Sequence, residues 1–114
     1  MIKSLLLILT FFTTGYALEI IQKPIPFSEH RKQLTLEYIQ THYGLSPADI
    51  TIVPRMIVIH YTAIPTLQGS FDAFESEELP AVRSDISAKN TTANVAVPYL
   101  IDRDGTVYQL MPEN

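Results

Sequence analysis

The sequence predicts an α/β domain, a central mixed β-sheet flanked by helices, and three stretches carry that expectation. Residues 28–44 hold a capped helical repeat, residues 56–61 an apolar β-branched run, and residues 94–110 an alternating pattern on either side of an Asp-Gly pair. At 114 residues the chain is about one domain. It has no cysteine, so no disulfide framework supports it and a hydrophobic core must hold the fold unaided.

The N-terminus shortens what is left to fold. Lys3 precedes the apolar block Leu5 to Phe12, and Gly15 and Ala17 place small residues at the two positions a signal peptidase reads. A membrane anchor needs about 20 apolar residues, and Thr13 and Thr14 end this block well before that. Residues 1–17 are therefore expected to be a cleaved signal peptide, residues 18–114 an exported chain, periplasmic or extracellular, with no stable membrane anchor. Without a cysteine it cannot be lipid-anchored through one. Loss of Lys3 leaves seven basic side chains against twelve acidic, a net charge of about −5. No Lys or Arg cluster is present, so nucleic acid is not an expected partner.

From Leu18 to Phe27 the chain reads as an extended, proline-punctuated lead-in. Ser28 has the character of a helix N-cap, Glu29 complements the positive end of the helix dipole, and Gly44 supplies a stop. Leu34, Tyr38 and Ile39 give this helix an apolar face for a sheet. His30 and His42 both fall on it, twelve residues or about 120° apart around the axis, so they cannot share one metal ion.

After the turn at Ser46 to Asp49 and a short extended piece broken by Pro54, Met56 to Tyr61 predicts a strand apolar on both faces, hence an interior one. His60 stands at its C-terminal end, where α/β sheets open a crevice for ligands. Position alone leaves two readings open, a hydrogen-bonded core histidine or a ligand. Further on, Phe71 and Phe74 predict a short helix capped by Ser70 and ended by Pro80, with Glu75, Glu77 and Glu78 forming a solvated face. Asn90 opens an Asn-Thr-Thr sequon, read as chance. Alternation around Asp104-Gly105 predicts a hairpin. Asp102 and Asp104 lack the further acidic positions that a calcium loop requires.

Taken in order, "RMIVIHYTA", a loop of about thirty residues and "NVAVPYLIDRDGTVYQLMPEN" resemble the zinc-dependent N-acetylmuramoyl-L-alanine amidases, whose domain is shared with peptidoglycan recognition proteins. "QLTLEYIQTHYG" is similar to the helix that precedes the first strand in exported bacterial members, so the resemblance runs from about Leu34 to Asn114. It implies that His60 is the first Zn²⁺ ligand. In such sites three protein donors leave a fourth position to a water whose pKa falls to about 7. The implied reaction is hydrolysis of the amide between N-acetylmuramic acid and L-alanine of the stem peptide. The implied partners are peptidoglycan or muropeptides, in cell-wall turnover or remodelling.

The chain departs from the family pattern at Val97 and Pro98, where phage-type relatives carry a functional tyrosine and many relatives a histidine. No catalytic acid or base can be carried over. The resemblance further implies a second and third ligand beyond Asn114, so residues 18–114 are expected to be the N-terminal part of an amidase domain, a fold incomplete at the C-terminus and inactive by itself. The competing expectation is a noncatalytic or vestigial peptidoglycan-binding module, which needs no metal.

Overall fold

The computed structural model describes residues 17–80 and 91–113. It shows an α/β arrangement with a mixed three-stranded sheet and two helices. In chain order the elements are β1 (Ile20–Gln22), α1 (Glu29–Tyr43), α2 (Leu67–Glu75), β2 (Tyr99–Ile101) and β3 (Val107–Gln109). The signal peptide expected over residues 1–17 lies outside the described residues apart from Ala17, and so does Asn90 of the sequon.

The hairpin forms where the Asp-Gly pair places it. Asp102 N–H donates to the Thr106 carbonyl at 2.9 Å, Gly105 N–H donates to the Asp102 carbonyl at 3.0 Å, and Gly105 takes φ 89°, which a side chain would resist. Strands β2 and β3 pair antiparallel with Leu100 opposite Tyr108. The lead-in does more than lead in. Its residues Ile20–Gln22 lie parallel to β3, Ile20 opposite Val107, so the sheet order is β1-β3-β2 and β3 is its centre. Short extended runs next to prolines pass for linkers in sequence, because nothing local marks a partner 87 residues away.

The core gathers Ile25, Phe71, Phe74, Leu100 and Leu110, with Leu67, Val97, Tyr108 and Met111 packed against it. Helix α2 covers β2 and supplies two of these aromatics. Its N-cap is Thr66, whose hydroxyl accepts from Gly69 N–H at 3.1 Å, and its C-cap is Ser76. The helix therefore starts one turn earlier than the sequence predicts. Ser70, expected as the cap, is buried within it, because Thr66 already has the extended backbone that a cap needs.

Helix α1 begins and ends as expected. The Ser28 hydroxyl accepts from Arg31 N–H at 3.3 Å, and Gly44 closes the helix with φ 67°. Its buried residues are Leu34 and, unexpectedly, Arg31, while Tyr38 and Ile39 are half-buried. Arg31 Nη2 donates to the carbonyls of Phe74, Glu75 and Ser76 at 3.1, 2.9 and 2.9 Å, so one guanidinium of α1 caps the C-terminus of α2. Its Nε and Nη1 are buried without a hydrogen-bond partner among the described residues. Burial pulls the Arg31 guanidinium below its ordinary pKa, and the nearby Glu77 carboxylate pulls it partly back.

One expectation fails. Met56 to Tyr61 is not a buried interior strand: the segment belongs to no sheet among the described residues, and Ile57 and Ile59 are 91% and 94% exposed. The sequence supplies strand-forming side chains, but a strand exists only through hydrogen bonds to a neighbour. In the described sheet β3 lies between β1 and β2, and neither outer edge pairs with this run.

Candidate functional site

His60 sits near the end of that exposed segment, and the chain around it is fixed from one side. Ala63 adopts φ 59°, an uncommon left-handed conformation for a residue with a Cβ, and turns the backbone toward α2. The Thr62 hydroxyl accepts from Ile64 N–H at 3.3 Å and shares a 3.1 Å hydrogen bond with the hydroxyl of Ser70. Ser70 thus anchors the stretch that follows His60, and the imidazole itself stays exposed.

The other titratable groups that the sequence singles out are held elsewhere. His30 Nε2–H donates to Glu78 at 3.0 Å. His42 Nδ1–H donates to the Tyr38 carbonyl at 3.0 Å, with its ring stacked on Tyr38 at 3.9 Å between centroids. Glu77 accepts from both the backbone N–H and the hydroxyl of Ser28. Those bonds, the hydroxyl's first, hold its carboxyl below the usual carboxylate range. Glu77 and Glu78 therefore clamp the start of α1, a role that a solvated acidic face does not foretell. Asp102 accepts from Arg103 N–H at 2.7 Å and Asp104 from Thr106 N–H at 2.8 Å, so both aspartates shape the hairpin turn. The Thr106 contacts hold the Asp104 carboxyl low.

The two positions of departure are occupied by structure. Val97 packs against the core, and the Pro98 carbonyl accepts from Leu110 N–H at 2.8 Å and Met111 N–H at 3.4 Å. Next to them, Tyr99 hydrogen-bonds through its hydroxyl to Glu113, which pushes the phenol's pKa up.

As a Zn²⁺ site the described residues do not suffice. Among them no group of three or more His, Asp or Glu side chains gathers where a metal ion could sit. His60 is an available imidazole without companions there. Two surface depressions, one lined by Leu18, Ile21 and Gly105 and the other by Gln22, Leu110 and Met111, do not include it.

The sequence profile of the N-acetylmuramoyl-L-alanine amidases matches residues 46–114, well over half of the chain. The chain belongs to that family. The matched part of this amidase-family chain contains His60, α2 and the hairpin, whereas β1 and α1 precede it. The resemblance of the helix sequence from Leu34 onward thus lies outside the match. No curated protein and no solved structure matches the chain significantly. Peptidoglycan is the material on which the family acts, and an amidase-type function holds for this chain at that level.

Proposed function

We propose that this chain forms part of an exported peptidoglycan amidase that hydrolyses the bond between N-acetylmuramic acid and L-alanine of the stem peptide. The family match across residues 46–114 carries the reading. The leader-like pattern of residues 1–17 supports export, and the acidic balance without basic clusters agrees with a wall-directed rather than a nucleic-acid-directed protein. No helix among the described residues is long and apolar enough to cross a membrane.

Within this reading His60 is a Zn²⁺ ligand, and the remaining donors come from outside the described residues. Zn²⁺ in such a site supplies a Lewis acid and an acidified water. The chain's own residues act before any chemistry, since Thr62, Ala63 and Ser70 fix the backbone that presents the imidazole. A second reading, a noncatalytic peptidoglycan-binding module, is favoured by the engagement of His30 and His42 in structural hydrogen bonds, which leaves His60 without a histidine companion among the described residues.

The test expresses the whole open reading frame that carries this chain and incubates it with purified peptidoglycan. The amidase reading expects stem peptides with a free L-alanine amino terminus and bound zinc. Both should be lost in His60→Ala and kept in His30→Ala and His42→Ala, whose imidazoles bond to Glu78 and the Tyr38 carbonyl. Sedimentation with peptidoglycan without zinc or peptide release would establish the binding module instead. Mass spectrometry of the exported protein should find Leu18 at its amino terminus, and an intact Met1 in a membrane fraction would overturn the export reading.

A further inference from the structure

The stretch that follows His60 meets α2 at two points. Besides the 3.1 Å hydrogen bond between the Thr62 and Ser70 hydroxyls, Ile64 lies against Gly69, where a Cβ would come within 2.9 Å of Ile64 Cγ2 and 3.0 Å of the Thr66 hydroxyl oxygen. Glycine leaves the room for that approach. The other end of the same helix is held from two sides. Arg31 Nη2 donates to the carbonyls of Phe74, Glu75 and Ser76, and Asn94 Nδ2 donates to those of Ala73 and Ser76 at 2.9 and 2.8 Å. Asn94 belongs to the segment that leads into β2, whereas Arg31 belongs to α1, whose cap Ser28 is itself tied to Glu77.

We infer that Arg31 is a positioning residue for His60, acting through α2 on the backbone of residues 62–64, so that a helix preceding the matched residues 46–114 sets the geometry of the site. Its effect on rate rests on the amidase reading above; the mechanical coupling does not. A nine-residue helix moves as one piece, so a shift at its C-terminal carbonyls carries Gly69 and Ser70 with it, and with them Ile64 and Thr62. Arg31 is only 3% exposed, so water has little access to replace its bonds. The helix end must keep the guanidinium or settle elsewhere. The side-chain hydrogen bonds of Arg31 all go to the end of α2 among the described residues, so it acts on His60 only at a distance.

The test uses the whole open reading frame that carries this chain and reads two quantities. In Arg31→Met the amide of Ile64, which donates to the Thr62 hydroxyl, should exchange about tenfold faster relative to that of Leu110, which donates to the Pro98 carbonyl. A general loss of stability would speed both amides alike. Peptide release should lose about ten- to hundredfold in kcat with KM unchanged, since a displaced His60 weakens the transition state and not substrate binding. Arg31→Lys should recover part of both effects, and it carries the comparison where Arg31→Met does not fold. Ser70→Ala should reproduce the Ile64 effect, and adding Arg31→Met to it should speed that amide no further. Equal acceleration of Ile64 and Leu110, or effects of Arg31→Met and Ser70→Ala that add in full, would overturn the inference. Unchanged kcat in Arg31→Met beside an inactive His60→Ala would overturn it alone, whereas full activity in His60→Ala would overturn the amidase reading of His60 and this inference together. The amide comparison needs no activity, so it decides the coupling even in a protein that binds peptidoglycan without releasing peptides.

Discussion

Replacing Arg31 by Met keeps most of the side chain's length and removes its donors, which isolates what the guanidinium contributes between the two helices. Three carbonyls lie within 3.1 Å of Nη2, but that nitrogen carries two hydrogens, so about two charge-assisted bonds are at stake. At about 1.5–3 kcal/mol each, their loss costs about 3–6 kcal/mol. Against this, Nε and Nη1 are buried without partners, and removing them returns about 1–3 kcal/mol of desolvation. At the midpoints of the two ranges the difference leaves Arg31→Met destabilised by about 2–3 kcal/mol, within an outer span of about 0–5 kcal/mol. For a small domain with a urea slope of about 1 kcal/mol/M, the unfolding midpoint should fall by about 2–3 M, measured by circular dichroism at 222 nm. Arg31→Lys, which retains a point charge without the planar fork, should fall by roughly half as much. A midpoint for Arg31→Met within about 0.5 M of the unaltered chain would refute the reasoning, because burial would then cancel the capping bonds.

Three further outcomes are expected. Gly105→Val forces a β-branched side chain to φ 89° and should cost about 1–3 kcal/mol in urea unfolding, whereas a neutral result would mean that the turn relaxes freely. Thr66→Ala should cost about 1 kcal/mol through loss of the α2 cap, and the effect should persist when Ser70 is already Ala, since Ser70 is not the cap. The folded-state pKa of Glu77 lies below its unfolded value, so the stability it contributes is present above the unfolded pKa and lost as pH falls through the folded one. Glu77→Gln should therefore flatten the acid limb of stability against pH, and an identical acid limb in both proteins would exclude Glu77 as its source.

What can be read in the sequence follows the range of the interactions. Ser28, Gly44 and Gly105 act within three or four residues of themselves, so their roles as cap, stop and turn are legible from local pattern. Phe71 and Phe74 announce α2 by spacing, but its first turn is harder to place because a threonine and a serine four residues apart compete for the same cap. Long-range pairings leave no local trace. Nothing near Ile20 indicates that Val107 will lie beside it, and nothing near Arg31 indicates the end of α2. Met56 to Tyr61 misleads for the converse reason: its composition fits a strand, and composition cannot supply the neighbour. For the site, family likeness singles out His60, and the match across residues 46–114 includes it without testing its ligand role. The anchoring of its backbone through Thr62 and Ser70 has no sequence signal beyond two hydroxyl residues eight apart.

The parallel pairing of β1 with β3 has a consequence for the order in which this chain can fold. Ile20 is synthesised well before Val107, and the central strand of the sheet is the last of the three to be made. Loop closure over such a separation must precede any gain from the pairing, which places this sheet among slow, late-forming topologies. Until β3 is made, Ile20–Gln22 lack the strand with which they pair among the described residues, whereas α1, α2 and the Arg31 bonds between them draw only on residues already synthesised.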